Sequence, residues 1–221
     1  VNGTFAEYTV VPHRYILKLP DGLEDEQIAP ILCGGVTSYK ALKTCGAVPG
    51  QWIAISGAGG GVGALGISFA VAMGYQVIAI DAGSEKRDYC FQLGAHYYID
   101  VKTERNINTT AKRLSGGKGV AAVLVTAGSG AAYQSALDLL GPFGTMVCIG
   151  IPPPSQKFSF HPLSFIDNGF RIIGSAVGTR GDILEAIDFV KRRAVVPAVK
   201  TARLEDLNKI AKLSMSGNVS I

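Results

Sequence analysis

Residues 52–63, Trp-Ile-Ala-Ile-Ser-Gly-Ala-Gly-Gly-Gly-Val-Gly, constrain this chain more than any other stretch. A short apolar run ends in glycine, a helical pattern covers residues 64–73, and a second apolar run, residues 77–80, stops at Asp81. Strand, tight turn, helix, strand and acid in that order make up a βαβ unit that can hold a dinucleotide. Glycines let the backbone approach a diphosphate, whose charge is drawn to the amides opening the helix. Asp81 falls close to the expected spacing of about twenty residues, where a carboxylate accepts hydrogen bonds from ribose hydroxyls. Two frames fit: Gly61-x-Gly63-x-x-Gly66 and Gly57-x-x-Gly60-x-x-Gly63. Gly57, Gly59, Gly60, Gly61, Val62 and Gly63 are therefore all candidates for the phosphate turn, and the sequence does not divide their roles. A turn that binds nothing, or holds another adenosine ligand, is the competing reading.

The rest of the chain repeats the alternation. Strands are expected at 97–100, 121–126, 145–149 and 170–175, and helices at 85–93, 106–114, 131–140 and 182–192. This predicts an α/β fold with a doubly wound, six-stranded parallel sheet in the order 3-2-1-4-5-6. Ligands in such sheets lie beyond the carboxyl ends of the strands, at the switch between the first and fourth. Residues 126–129, Thr126 among them, should line that crevice with the glycine turn. Ahead of the sheet, residues 6–11 and 15–19 read as two further strands, and 24–31 and 36–43 as helices.

Of the 221 residues 48% are hydrophobic and 17% charged, enough for one sizeable core. The net charge of +4 is modest. The late basic residues alternate with acids at helical spacing and have no interleaved aromatics, which argues against a nucleic-acid site. The longest apolar-looking segment, 64–80, splits into helix and strand and is not a membrane span. Cys33, Cys45, Cys90 and Cys148 form no CxxC pair, so a reducing compartment such as the cytoplasm is expected. Cys148 should be buried, and His96 should lie in an exposed loop or at a strand edge.

Residues 28–43 (IAPILCGGVTSYKALK), 52–57 (WIAISG), 72–75 (AMGY) and 174–180 (GSAVGTR) resemble the zinc-containing alcohol dehydrogenases, closest to the fungal and bacterial tetrameric type. The likeness covers nearly the whole chain, with its motifs in order. It implies a Rossmann domain and hydride exchange between an alcohol and NAD. It implies that Cys33 supplies one thiolate to a catalytic zinc of the Cys₂His kind. That metal would lower the pKa of the alcohol. It places Thr37, the candidate catalytic residue, beside the nicotinamide and Lys86 near the ribose. It also gives Ile149, Gly150 and Ile151 a loop facing the nicotinamide, and Val177 and Gly178 a turn meeting its carboxamide.

Asp81, repelling a 2′-phosphate, favours NAD over NADP. The other zinc ligands are not apparent here, since His13 and His161 lack ligand spacing with Cys33. A small buried hydrophobe is then the expected state of Cys33 in this chain. The likeness would extend past Ser216-Gly217-Asn218-Val219 to a glycine–arginine pair, so the chain reads as a fragment. Its division would be a catalytic-domain remnant at 1–36, the nucleotide domain at 37–194 and a return segment at 195–221. Pairing of the sixth strand across a two-fold axis would make a homodimer or homotetramer. Three readings compete: a zinc-free quinone-oxidoreductase-like reductase, a cofactor-binding or self-associating module without turnover, and a methyltransferase-like protein using another adenosine cofactor.

Overall fold

A computed structural model describes residues 4–215; the 216–219 segment singled out above lies outside them. In chain order the elements are α1 (Asp25–Ile28), α2 (Gly34–Thr44), β1 (Trp52–Ser56), α3 (Gly61–Ala72), β2 (Gln76–Asp81), α4 (Ser84–Gln92) and β3 (Tyr97–Asp100). There follow α5 (Ile107–Leu114), β4 (Val120–Val125), α6 (Gly130–Leu139), β5 (Leu140–Cys148), α7 (Leu163–Asn168), β6 (Arg171–Gly174), α8 (Arg180–Lys191) and α9 (Leu207–Met215). The strands form one parallel sheet in the order β3-β2-β1-β4-β5-β6, the order expected from the sequence.

Side chains alternate across each strand, so β1 feeds two cores. Ile53 and Ile55 face a layer made by α2, α3, α4 and α8, with Leu42, Phe69, Cys90 and Ile187 buried in it. Ala54 faces the opposite layer, where α5 and α6 contribute Ala111, Tyr133 and Leu137. Strands buried on both faces need continuous apolar runs, which is what Ile53–Ile55 and Val77–Ile80 supply. Each fully buried Ile, Leu or Phe stabilises the fold by roughly 1.5–3 kcal/mol. The helices before the sheet share the first core, since Ile28 and Ile31 are buried there.

Several expected elements differ. Residues 6–11 and 15–19 are not strands; His13–Tyr15 forms a 3-10 turn between them, residues 6–11 are exposed, and Leu19 packs partly buried against the first core. A strand needs a backbone partner, and among the described residues no ladder reaches them. The helix expected at 24–31 is α1 followed by a tighter 3-10 turn, Ala29–Leu32. Pro30 supplies no N–H to continue an α-helix. β5 begins at Leu140, earlier than expected, with a register shift between Val120 and Ala122 that absorbs Pro142. α7 was not anticipated, and α9 falls where the late charged residues are spaced as on a helix face.

Candidate cofactor site

At the carboxyl edge of the sheet, β1 runs into a bend that only glycine accommodates. Gly57 has φ 80°, and a Cβ there would stand 2.8 Å from the Ala127 amide nitrogen. Its N–H donates to Ile80 O at 2.9 Å, and Thr126 N–H donates to Ser56 O at 2.9 Å. The ends of β2, β1 and β4 are thereby tied together. The Thr126 hydroxyl adds bonds to Ser56 O (2.7 Å) and Gly57 O (3.1 Å). Gly63 lies under this bend: its Cβ would be 2.2 Å from Gly57 O.

The remaining glycines take different parts. Gly60 caps α3 in an extended conformation. A Cβ on Gly61 would meet nothing within 4 Å, so open space adjoins the start of α3. The first helical bond is Ala64 N–H to Gly60 O, which leaves the amides of Gly61, Val62 and Gly63 ahead of the helical ladder. Open space, forward-pointing amides and a helix dipole suit a phosphate. Gly57 and Gly63 are the two tight positions of the turn, and Gly61 stands on its open side.

Asp81 closes β2 and is nearly buried. Its Oδ2 accepts from Gly59 N–H at 2.9 Å, and its Oδ1 accepts from Ala82 N–H at 2.8 Å and Lys86 Nζ at 2.8 Å. The acid thus grips the glycine loop itself. The stem of Lys86 lies across Gly59, whose Cβ would be 2.9 Å from three of its carbons. Behind them Cys90 is buried; desolvation first, then the Asp81 carboxylate, push its thiol up to about 12, so it stays protonated.

On the other side of the switch point, the ends of β4 and β5 touch. A Cβ on Gly150 would stand 2.4 Å from Ala127 O, and one on Gly128 would stand 3.2 Å from Ile151 O. The Tyr133 hydroxyl donates to Gly150 O; burial raises its pKa to about 12. Ile149 is partly buried against the core, whereas Ile151 is 89% exposed. Beyond β6, Val177 has φ 45° and an exposed side chain. Gly178 packs so closely on α2 that its Cβ would be 2.4 Å from Val36 Cγ2.

Cys33 and Thr37 sit together at the start of α2. Cys33 is exposed, which corrects the expectation of a buried hydrophobe. It occupies the cap position of α2, turned out of the core that takes Ile31 and Val36. The buried Thr37 hydroxyl donates to Cys33 O at 2.6 Å, so its proton is committed and only its lone pairs can receive another donor. Among the described residues no three His, Cys, Asp or Glu side chains come together to hold a metal. Cys33 alone does not make a tetrahedral site. Cys148 is only partly buried, because β5 ends there. His96 is exposed between α4 and β3; its Nδ1 accepts from Val77 N–H, and its ring meets Trp52.

Sequence reasoning missed Tyr133, the support of Gly150. It also missed Asp182, which completes a capping box with Thr179 at the head of α8. The second was detectable: Thr179-x-x-Asp182 before an apolar periodic run is a helix-start signature. The first had no local signal, since Tyr133 and Gly150 meet only in three dimensions.

The signature of the family described as zinc-binding dehydrogenase matches residues 61–192. An alcohol dehydrogenase of Geobacillus stearothermophilus is 39% identical over all of this chain and 64% of its own length. The chain thus spans just under two thirds of that relative. The crystal structure of an alcohol dehydrogenase from Aeropyrum pernix superposes with a TM-score of 0.88 at 28% identity, over 99% of this chain and 64% of that one. Acetophenone reductase from Geotrichum candidum, solved in complex with NAD, superposes at 0.79 with 28% identity, over 92% of this chain and 56% of its own. On this signature, with the sheet order and glycine bend that accompany it, the chain belongs to the zinc-binding dehydrogenase family.

Proposed function

We propose that this chain is the NAD-binding part of an oxidoreductase that interconverts alcohols with aldehydes or ketones. The observation that carries the reading is the Gly57–Gly63 bend, open over Gly61 at the head of a buried helix, with Asp81 at the adjoining strand end. The diphosphate rests on the α3 amides. The ribose hydroxyls exchange with the donors now held by Asp81, and Lys86 moves with them. The second nucleoside runs the opposite way, over Thr126, Ile149, Gly150 and Ile151 toward Val177 and Gly178. Thr37 lies at the substrate side of the nicotinamide and acts there as an acceptor, its own proton being held by Cys33 O. NAD supplies the hydride chemistry; the chain binds and orients it. The alcohol dehydrogenase names of the relatives, and the NAD bound in the acetophenone reductase, support the same reading.

Zinc enters this proposal only through Cys33, whose exposed position leaves its thiol accessible to a metal completed by residues that the described chain does not bring to it. The division at 37 and 195, with the nucleotide domain between, belongs to the same proposal, as does self-association through β6. Four cysteines without a disulfide support a reducing compartment, the cytoplasm being our assignment. No helix among the described residues is long and apolar enough to cross a membrane.

Fluorescence titration with NADH and NADPH tests the cofactor assignment. The chain should bind NADH at least about tenfold more tightly than NADPH, and Asp81→Ala should erase the difference, mainly by weakening NADH. No binding of NADH, or a preference for NADPH, would falsify it.

A further inference from the structure

Val177 holds a backbone conformation that β-branched residues avoid. Such a residue persists only where its surroundings over-determine it, and α2 does so at three points. Before the turn, Lys40 Nζ donates to Ala176 O at 3.3 Å. At the turn, Gly178 rests against the buried Val36. After it, Thr179 N–H and its hydroxyl both donate to Asp182 Oδ2 at 2.8 Å, while Lys43 Nζ donates to Oδ1 at 3.2 Å. Val36, Lys40 and Lys43 are spaced four and three residues apart, so one face of α2 makes all three contacts. Lys43 is braced in turn by Glu185, which also accepts from the Tyr39 hydroxyl at 2.7 Å.

The turn follows β6 at the carboxyl edge of the sheet. With a diphosphate on α3 and one nucleoside at Asp81 on β2, the other half of a dinucleotide must run over β4 and β5 toward this turn. We propose that Lys43, acting through Asp182, is a positioning residue for the nicotinamide half of the cofactor. The α2 clamp keeps Val177 and Gly178 in the one shape that receives it. This rests on the dinucleotide reading above, and it makes α2 the link between Thr37 and the far end of the cofactor.

The test compares NADH with ADP-ribose, which keeps the adenosine and diphosphate but lacks the nicotinamide. In Lys43→Met, NADH affinity should fall about tenfold while ADP-ribose affinity stays within about twofold. Lys43→Arg should restore NADH binding, since a guanidinium also reaches a carboxylate. Equal NADH binding in Lys43→Met and the unmodified chain overturns the clamp and leaves the cofactor reading standing. Parallel loss of both ligands also overturns it, since a merely structural role predicts that result. If the unmodified chain binds neither ligand, the cofactor reading fails and the clamp with it.

Discussion

At the scale of single residues, two glycines two positions apart in one motif, Gly61 and Gly63, should behave in opposite ways. Gly63 has no room for a methyl group: the nearest atom is the Gly57 carbonyl oxygen, a backbone group that cannot swing aside. Gly63→Ala should destabilise the chain by about 1–3 kcal/mol through overpacking. Gly61 stands in open space at the first position of α3. Gly61→Ala should be neutral or stabilising by up to about 1 kcal/mol, because alanine restricts the unfolded chain. Its methyl group nonetheless enters the space assigned to the diphosphate, so NADH should bind more weakly to a protein that melts no earlier. Thermal melts of both variants, with NADH titrations, check this; a stable Gly63→Ala would remove the steric account of the bend. The sequence fits both glycine frames because the distinction lies in which backbone crosses which. Gly57 and Gly63 are separated by the width of a bend that exists only once Ile80 O has accepted the Gly57 amide.

At the scale of elements, α8 begins at Arg180, three residues before its first apolar side chain, Ile183. Thr179 accepts from Asp182 N–H, Asp182 accepts from Thr179, and Lys43 of α2 holds the free carboxylate oxygen. The Thr179 backbone N–H first, then its hydroxyl and Lys43, hold the Asp182 carboxyl below its ordinary 3.8. Glu185 is likewise lowered, first by its bond to Lys43. A carboxyl whose pKa is lower in the folded state contributes stability above its unfolded value and loses it as pH falls through the folded one. The α2–α8 contact therefore weakens in acid, below about pH 4. Thr179→Ala should cost about 1 kcal/mol at neutral pH, and the gap from the unmodified chain should narrow by pH 3. Melting curves with the same offset at both pH values would show that the cap does not set the titration of Asp182. Sheet and helices were legible here because a parallel sheet buried on both faces writes long apolar runs into β1, β2 and β4. Residues 6–11 and 15–19 are also rich in strand-forming residues, but residue type reports what could be buried, not whether a neighbouring strand is present to pair with.

At the scale of the whole molecule, the sheet has two edges, and β6 is the one that leads into the Val177 turn. Its ladder to β5 uses alternate residues: Ser175 N–H donates inward to Cys148 O. Ile173 and Arg171 therefore also point inward, and the amides of Ile172 and Gly174 point out along the free edge. An edge of this kind is a template for another strand, and a copy of β6 meeting it about a two-fold axis would continue the sheet across two chains. Such an axis would pass close to the turn proposed for the nicotinamide, because Val177 lies three residues beyond Gly174. Gly174→Pro is the variant that separates edge pairing from folding. It removes one outward N–H, leaves every bond to β5 in place, and its ring enters open space, since nothing lies within 4 Å of that position's Cβ. Sedimentation should find the unmodified chain as a dimer or larger, and Gly174→Pro shifted toward monomer with little change in melting temperature. A chain that sediments as a monomer at tens of micromolar would mean that β6 is a true edge, and the continuous-sheet assembly would have to be abandoned.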